Sequence, residues 1–220
     1  NTGDLHEDSL KEARKWFEGK FDSVQLFHAC RPRNVGSYLA NGIKGHDVQS
    51  ICNDFKSIFS DLPETSLNKA INSLGNNNYN EDGQLWLHID KRFLIRHAGH
   101  YLIYGSEYRS GLAAELRRVH SNTTDFQQRL KKIGTPTIFE LHIPISTLGE
   151  CNLNRLCIAV IKRWVAKRRE IPDLVNHDVS LSFLNALEPE LIVDHSHPAK
   201  IWDPFGSVYQ SSTTSCNCCT

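Results

Sequence analysis

Apolar residues along this chain follow two spacings, one helical and one strand-like, and the two kinds of segment do not alternate regularly. The helical spacing predicts helices over residues 8–19, 35–41, 51–59, 107–120, 125–133 and 157–170. Short apolar or alternating runs predict strands over residues 24–30, 84–89, 100–106, 137–143, 181–187, 190–194 and 199–202. Strands that cluster late among irregularly placed helices are typical of an α+β fold.

The chain shows no internal repeat and no break in composition, which favours one domain. We predict a single domain over residues 1–210 and a flexible tail rich in Ser, Thr and Cys over residues 211–220. The clearest loop is predicted at residues 73–83, where Asn and Gly are concentrated.

Composition excludes several classes of protein. With 40% hydrophobic and 23% charged residues, the chain is neither disordered nor a coiled coil. No apolar run approaches the roughly 20 residues that cross a bilayer, so no membrane partner is expected. The seven cysteines are too few and scattered for a disulfide scaffold, which favours a reducing cytoplasm. The chain contains no Met, so the earlier removal of a signal peptide before Asn1 stays an alternative.

The formal net charge is zero, but its distribution is uneven. Counting Lys and Arg against Asp and Glu, residues 1–90 carry −4, residues 91–170 carry +9 and residues 171–220 carry −5. A basic middle suits an anionic ligand such as a pyrophosphate or a nucleic acid. The alternative is that these charges lie on solvated helix faces and pair with the acidic ends.

The first candidate for chemistry is His28, a single polar side chain in the predicted strand 24–30. Taken alone, it is more typical of a hydrogen-bonded core histidine, since an unpaired buried imidazole is costly. Arg31 and Arg33 follow directly and offer two guanidinium groups that could clamp phosphate.

The second candidate is the segment 99–116, in which an aromatic run passes straight into a predicted helix. Tyr101 and Tyr104 would form a platform on which a flat heterocycle stacks. Gly105 permits a tight bend, and Ser106 or Glu107 suits the cap of the new helix. Helix capping is the favoured interpretation of Ser106.

The third candidate is the pair Glu188 and Glu190, which flanks Pro189 before the apolar run 191–193. Glutamates at the start of a strand are usually solvated. Two glutamates that flank a proline at the start of a strand could instead stabilise positive charge that develops during a reaction.

The order of these segments resembles the ADP-ribosyltransferase superfamily, and in particular small bacterial toxin or antiviral-defence mono-ADP-ribosyltransferases. The resemblance lies in segment 26–30 (LFHAC), in segment 100–106 followed by a helix over 107–116, and in segment 190–193 (ELIV). The predicted strand 137–143 falls between the second and third, where the family has a core strand. The resemblance therefore implies a split β-sheet core with peripheral helices.

The resemblance also implies a reaction: transfer of ADP-ribose from NAD, the co-substrate, to a macromolecular acceptor, with release of nicotinamide. His28 would hydrogen-bond a ribose and, with Arg31, hold NAD, while Tyr104 or Tyr101 would stack on nicotinamide beside Ser106. The basic middle favours a nucleic-acid acceptor over a protein. Enzymes of this kind are expected to act in the cytoplasm and to be restrained by an inhibitory, antitoxin-like partner.

Two carboxylates receive roles from the resemblance. Glu190 would stabilise the oxocarbenium-like transition state, and Glu188 would prepare the acceptor, as in a Glu-x-Glu pattern. This sequence departs from the family in having Pro189 between them and no His-Gly-Thr in the first strand. Glu107 and Glu140 therefore stay open as alternative acids.

Three other hypotheses remain. A metal site at His195 and His197, beside Asp194 and Asp203 and joined by His97 and His100, would activate water in a nuclease or phosphoesterase. Cys30 would act as a nucleophile with His28. A domain that binds nucleic acid without catalysis would use the basic residues Arg117, Arg118, Lys131, Lys132, Lys162, Arg163, Lys167, Arg168 and Arg169.

Apart from that alternative, we predict no metal site from the sequence. Cys216, Cys218 and Cys219 lie close together in the tail, but they offer three sulfurs without a nearby fourth ligand.

Overall fold

The computed structural model describes residues 7–75, 83–120, 123–170, 179–212, 216 and 218. Its helices are α1 (Glu7–Lys20), α2 (Val35–Asn41), α3 (Val48–Ile58), α4 (Glu64–Gly75), α5 (Lys91–Arg96), α6 (His100–Tyr104), α7 (Glu107–His120), α8 (Gln127–Leu130) and α9 (Glu150–Arg168). Its strands are β1 (Ser23–Cys30), β2 (Leu85–His88), β3 (Thr137–Pro144), β4 (Ser180–Phe183), β5 (Ile192–Ser196), β6 (Lys200–Asp203) and β7 (Val208–Ser211). Two 3₁₀ helices cover Ile145–Thr147 and Pro189–Leu191.

Five strands form one antiparallel sheet in the order β4-β2-β1-β3-β5, and β6 and β7 form a separate hairpin. The longest pairing joins β1 to β3, from Ser23 opposite Pro144 to Cys30 opposite Thr137. Among the described residues, helices and strands are mixed without parallel crossover units, which confirms the predicted α+β class.

The sheet separates two apolar cores, and β1 contributes to both because its side chains alternate between the two faces. Phe27 and Ala29 belong to the core built by α3 to α8, whereas Leu26 and Cys30 belong to the core built by α1, α2 and α9. Burial of one large apolar side chain contributes about 1.5–3 kcal/mol, so a sheet covered on both faces provides most of the stabilisation.

No helix in the part of the chain that the structure describes has the length and apolar character needed to cross a membrane.

The strand predicted over residues 100–106 is wrong, because His100–Tyr104 forms helix α6. Its consecutive side chains Leu102, Ile103 and Tyr104 are all buried, since this short helix is surrounded by the core rather than covered on one face. A short apolar run of this kind suits a buried strand and a buried helix equally well. Gly105, with φ of +96°, ends α6 in a conformation that favours glycine, and α7 then begins at Glu107 as predicted.

Other boundaries also differ from the predictions. Helices α4 and α5 were not predicted, α9 begins at Glu150 instead of residue 157, and β4 ends at Phe183. Of the predicted loop 73–83, residues 73–75 end α4 and residues 76–82 lie outside the described residues. The predicted tail starts inside β7, because Ser211 pairs with Lys200.

Candidate functional site

A cavity of about 540 Å³, here called the central cavity, lies where β1 leaves the sheet. Its wall is built by the end of β1, by α2, by the start of α3, by β2 and by the turn between α6 and α7. Its volume is within the range of about 300–1,000 Å³ typical of small-molecule sites. Four residues predicted to bind a cofactor line it: His28, Arg31, Tyr101 and Ser106.

His28 lies on this wall, and its ring is oriented by the neighbouring strand. Its Nδ1 is 3.1 Å from the carbonyl oxygen of Trp86, and a carbonyl can only accept, so Nδ1 carries the proton. Burial lowers the pKa of His28 to about 4, although the Trp86 hydrogen bond opposes this shift. The imidazole is therefore neutral near pH 7 and offers Nε2 as a hydrogen-bond acceptor.

The lowered pKa of His28 predicts a pH dependence of stability. Between its ordinary value near 6.5 and about 4, the unfolded chain binds a proton that the folded chain does not. The free energy of unfolding should therefore fall as the pH drops through this window, by at most about 1.4 kcal/mol per pH unit. In His28→Gln this component should vanish, which urea unfolding of both proteins between pH 4 and 7 measures. An equally steep slope in both proteins would contradict the assignment.

Arg31 has a structural role that the sequence did not indicate. Its guanidinium donates to three backbone carbonyls, those of Ile133, Leu102 and Lys131. Burial lowers the pKa of Arg31 to about 10, so the group stays protonated at neutral pH. Arg31 lines the cavity, but each of its three guanidinium nitrogens already donates to a backbone carbonyl, so at most two of its five N–H groups are left for a phosphate.

The cationic wall is formed instead by Arg33, Arg109 and Lys44. Arg33 and Arg109 both donate to the carboxylate of Asp54, at 2.5 and 2.8 Å. The Nε of Arg109 is buried and has no hydrogen-bond partner among the described residues. Two cations thus share one anion, which leaves positive charge and a donor for an anionic ligand.

Arg109 was missed by the sequence analysis, although a local signal pointed to it. Ser106 accepts a hydrogen bond from the backbone N–H of Arg109 at 3.1 Å, which confirms Ser106 as the cap of α7. Capping fixes the first turn of α7, and this turn carries Arg109 to the cavity wall.

The two predicted stacking tyrosines lie in different environments. Tyr101 lines the central cavity. Tyr104 is only 3% exposed, donates to Asp203 at 2.8 Å and stacks on Phe205. Tyr104 does not belong to the cavity wall and its contacts are structural, whereas Tyr101 lies on the wall with its ring centroid 4.1 Å from that of His100.

Among the candidate carboxylates, Glu107 is the one that lines the central cavity. Nε2 of His100 lies 3.1 Å from its Oε1 and lowers the pKa of Glu107, so the carboxylate stays ionised. Glu107 also borders an adjoining cavity of about 330 Å³, which shares Trp86, His88 and Tyr101 with the first. Glu107 therefore lies between two adjoining cavities.

The other candidate acids do not line either cavity. Glu188 and Glu190 are exposed on the 3₁₀ helix Pro189–Leu191 and its preceding residue. Just before these glutamates, the backbone of Leu187 lies against Gly42 at the end of α2. A Cβ at position 42 would come within 2.0 Å of the carbonyl oxygen of Leu187. Glu140 accepts a hydrogen bond from Gln25.

The proposed nucleophile Cys30 is unsuited to that role. Burial raises the pKa of its thiol well above the ordinary value, while a hydrogen bond with Tyr38 opposes the shift only partly. The thiolate is the reactive form, so this shift disfavours Cys30 as a nucleophile, although Cys30 lines the central cavity with His28.

The proposed metal residues His195 and His197 lie together on β5 and just after it, and Cys216 lies beside them. Asp194, His97 and His100 do not join this group, and Asp203 is buried in the β6–β7 hairpin. None of the three grouped residues lines the central cavity.

Comparison with known proteins found no matching family model, no matching curated protein and no matching solved structure. Functional assignment therefore rests on the residues of the cavity.

Proposed function

We propose that this protein transfers ADP-ribose from NAD to a macromolecular acceptor and releases nicotinamide. The observation that carries the proposal is that His28, Tyr101 and Ser106, which come from two distant segments, line one cavity. Helix α6 and the turn into α7 bring the second segment against the end of β1, where His28 lies.

Three parts of NAD, one ribose, the diphosphate and the nicotinamide ring, have a matching group on the cavity wall. Nε2 of His28 accepts a hydrogen bond from a ribose hydroxyl, because Nδ1 is held by Trp86. Arg109, with its unpartnered Nε, and the nearby Arg33 bind the diphosphate. Tyr101 stacks on the nicotinamide ring.

Glu107 supplies the negative charge that the reaction needs. Loss of nicotinamide breaks the bond between ribose C1′ and the ring nitrogen, whose electron pair leaves with nicotinamide, and positive charge develops on the ribose. An ionised carboxylate aimed at that charge stabilises the transition state. The acceptor then forms a bond to C1′ and loses its proton. The cavity adjoining Glu107 provides an approach for the acceptor.

A nucleic-acid acceptor is supported by the C-terminal half of α9. Most of its exposed side chains are basic, and Trp164, which is 57% exposed, has the guanidinium of Arg168 over its ring. Basic residues bind phosphates, and an exposed indole stacks on unpaired bases. The exposed basic residues of this surface are Lys162, Arg163, Lys167, Arg168 and Arg169. Activity of this kind would require an inhibitory partner in the producing cell.

The proposal is tested with NAD labelled on its adenylate portion, incubated with the protein and separated protein, DNA and RNA fractions. We expect label in one nucleic-acid fraction and one nicotinamide released for each ADP-ribose transferred. Label in the protein fraction would support the transferase activity but assign a protein as the acceptor instead of a nucleic acid.

A parallel reaction with chelator separates the alternatives. Absence of label and of nicotinamide release in all fractions would contradict the transferase. Loss of nucleic acid that chelator prevents would then indicate metal-dependent hydrolysis, and salt-dependent binding alone would indicate a binding domain.

A further inference from the structure

Two histidines and a cysteine from separate parts of the chain meet at one edge of the sheet, and the proposed transferase activity uses none of them. One ring nitrogen each of His195 and His197 and the Sγ of Cys216 lie within 4.8 Å of one another. β5, which carries His195, is an edge strand of the five-stranded sheet, and Cys216 follows β7 along the chain. Long-range folding, not local sequence, creates this cluster.

The ring of His197 is prepared as a metal ligand. Its Nδ1 lies 2.8 Å from the carbonyl oxygen of Pro136, so Nδ1 carries the proton. Nε2 therefore has a free lone pair, and this atom is buried without a hydrogen-bond partner among the described residues. A metal-bound histidine typically donates its other N–H to a carbonyl in this way. A buried, unpartnered nitrogen that must accept is satisfied by a cation.

Cys216 provides a sulfur at this cluster, whereas the Sγ of Cys218 lies outside the group of atoms within 4.8 Å, beside Gly36, and has to move to join it. The Sγ of Cys216 lies 4.0 Å from Nε2 of His195. Tetrahedral zinc with ordinary bond lengths holds nitrogen and sulfur ligands about 3.6 Å apart, so this pair needs to contract by a few tenths of an ångström and the wider separations, up to 4.8 Å, by about 1 Å. The N–H of Cys218 donates to the Sγ of Cys216 at 3.4 Å, a contact that supports a bound thiolate. Cys218 itself offers a second sulfur two residues along the chain.

We propose that His195, His197, Cys216 and Cys218 bind one Zn²⁺ in a closed tetrahedral site. Two imidazoles and two thiolates form a donor set that selects zinc over Mg²⁺ or Ca²⁺, which prefer oxygen. Binding releases the thiol protons of Cys216 and Cys218 to solvent and involves no change of oxidation state. Four protein ligands leave no open position for water, so the site is structural.

The site fixes Cys218 against α2. Cys218 lies beside Gly36 of α2, where a Cβ would come within 3.6 Å of its Sγ. The same helix contributes Ser37 and Tyr38 to the wall of the central cavity. Zinc therefore stabilises one side of that cavity without touching its contents.

The test uses the full chain without an affinity tag, since tags bind metals, purified in the presence of reductant and without chelator. We expect one zinc per chain by elemental mass spectrometry, and a lower melting temperature after the zinc is removed with a chelator. Replacement of zinc by Co²⁺ should produce the visible absorption of a tetrahedral site and a thiolate-to-cobalt charge-transfer band.

Single substitutions identify the ligands. His197→Ala and Cys216→Ser should each lower the affinity for zinc by about 10²-fold or more, measured by competition with a chromophoric chelator. Cys218→Ser should weaken both the affinity and the charge-transfer band. The matched controls are His142→Ala on the neighbouring strand β3 and Cys151→Ser on α9, both exposed residues that should leave the zinc content unchanged.

The proposal would be overturned if the wild-type chain retained less than stoichiometric zinc after incubation with Zn²⁺. Equal loss of zinc in the control variants, or an unchanged affinity for zinc in Cys218→Ser, would also overturn it. A disulfide between Cys216 and Cys218 that persists under reductant would also overturn it. These readouts measure metal and not transfer, so they stand apart from the proposed function.

Discussion

Replacement of Asp203 by Ala should lower the free energy of unfolding by about 3–5 kcal/mol, the cost typical of removing one partner from a buried charge pair. Asp203 is 1% exposed and ends β6. Its carboxylate accepts from the hydroxyl of Tyr104, from Nζ of Lys131, from Nε2 of Gln210 and from the backbone N–H groups of Phe205 and Gly206. The substitution leaves a buried phenol and the partly buried ammonium of Lys131, whose side chain is 19% exposed, without their acceptor. Equilibrium urea unfolding measures the loss.

A matched control is Asp61→Ala, which removes an aspartate from an exposed pair with Arg129. Such surface pairs contribute little, so its stability should stay close to wild type. Equal stability of Asp203→Ala and Asp61→Ala would contradict the role given to Asp203. Asp203→Asn separates charge from shape, since it keeps the hydrogen bonds to backbone N–H groups and loses the pair with Lys131.

The pKa of Asp203 also predicts that the free energy of unfolding decreases at acid pH. Burial alone would raise the pKa of Asp203, but hydrogen bonds from Tyr104 and Lys131 hold it below its ordinary value. A lowered folded pKa stabilises the protein above the unfolded value near 4, and this contribution disappears as the pH falls through the folded value. The acid loss should be smaller in Asp203→Asn.

Elements set by local pattern were predictable from the sequence. The apolar run 24–30 became β1, residues 137–143 became the core of β3, and α2 and α7 have the predicted bounds. Residues 100–104 were not predictable in this way, because a helix enclosed by the core has no polar face to reveal its period. Their burial depends on the β6–β7 hairpin, whose Phe205 stacks on Tyr104.

The candidate site was predictable in its residues more than in their roles. His28, Tyr101 and Ser106 reached one cavity, and the cap formed by Ser106 follows from a local rule. The three carbonyls that occupy Arg31 come from α6 and from the residues that follow α8, so its role could not be read from its neighbours. The approach of Cys216 to His195 likewise depends on tertiary folding.

Replacement of Glu107 by Gln should lower the rate of ADP-ribose transfer by about 10²- to 10³-fold and change the KM for NAD little. Losses of this size are typical when one group that stabilises transition-state charge is removed. Glutamine keeps the shape and a hydrogen-bond acceptor for His100, so the fold and the binding of NAD should persist. Steady-state kinetics with labelled NAD, together with the melting temperature of each variant, separates lost catalysis from lost folding.

The matched variants are Glu190→Gln, Glu188→Gln and Glu140→Gln, each of which removes a carboxylate outside both cavities. If the cavity is the site of reaction, these three should keep rates within a few-fold of wild type, because solvated charges act weakly at a distance. Loss of transfer in Glu190→Gln, with activity retained in Glu107→Gln, would instead assign catalysis to the residue that the family resemblance favours. Because both variants are measured in the same assay, the comparison decides between Glu107, which lines the cavity, and Glu190, which occupies the place along the chain that the family resemblance implies.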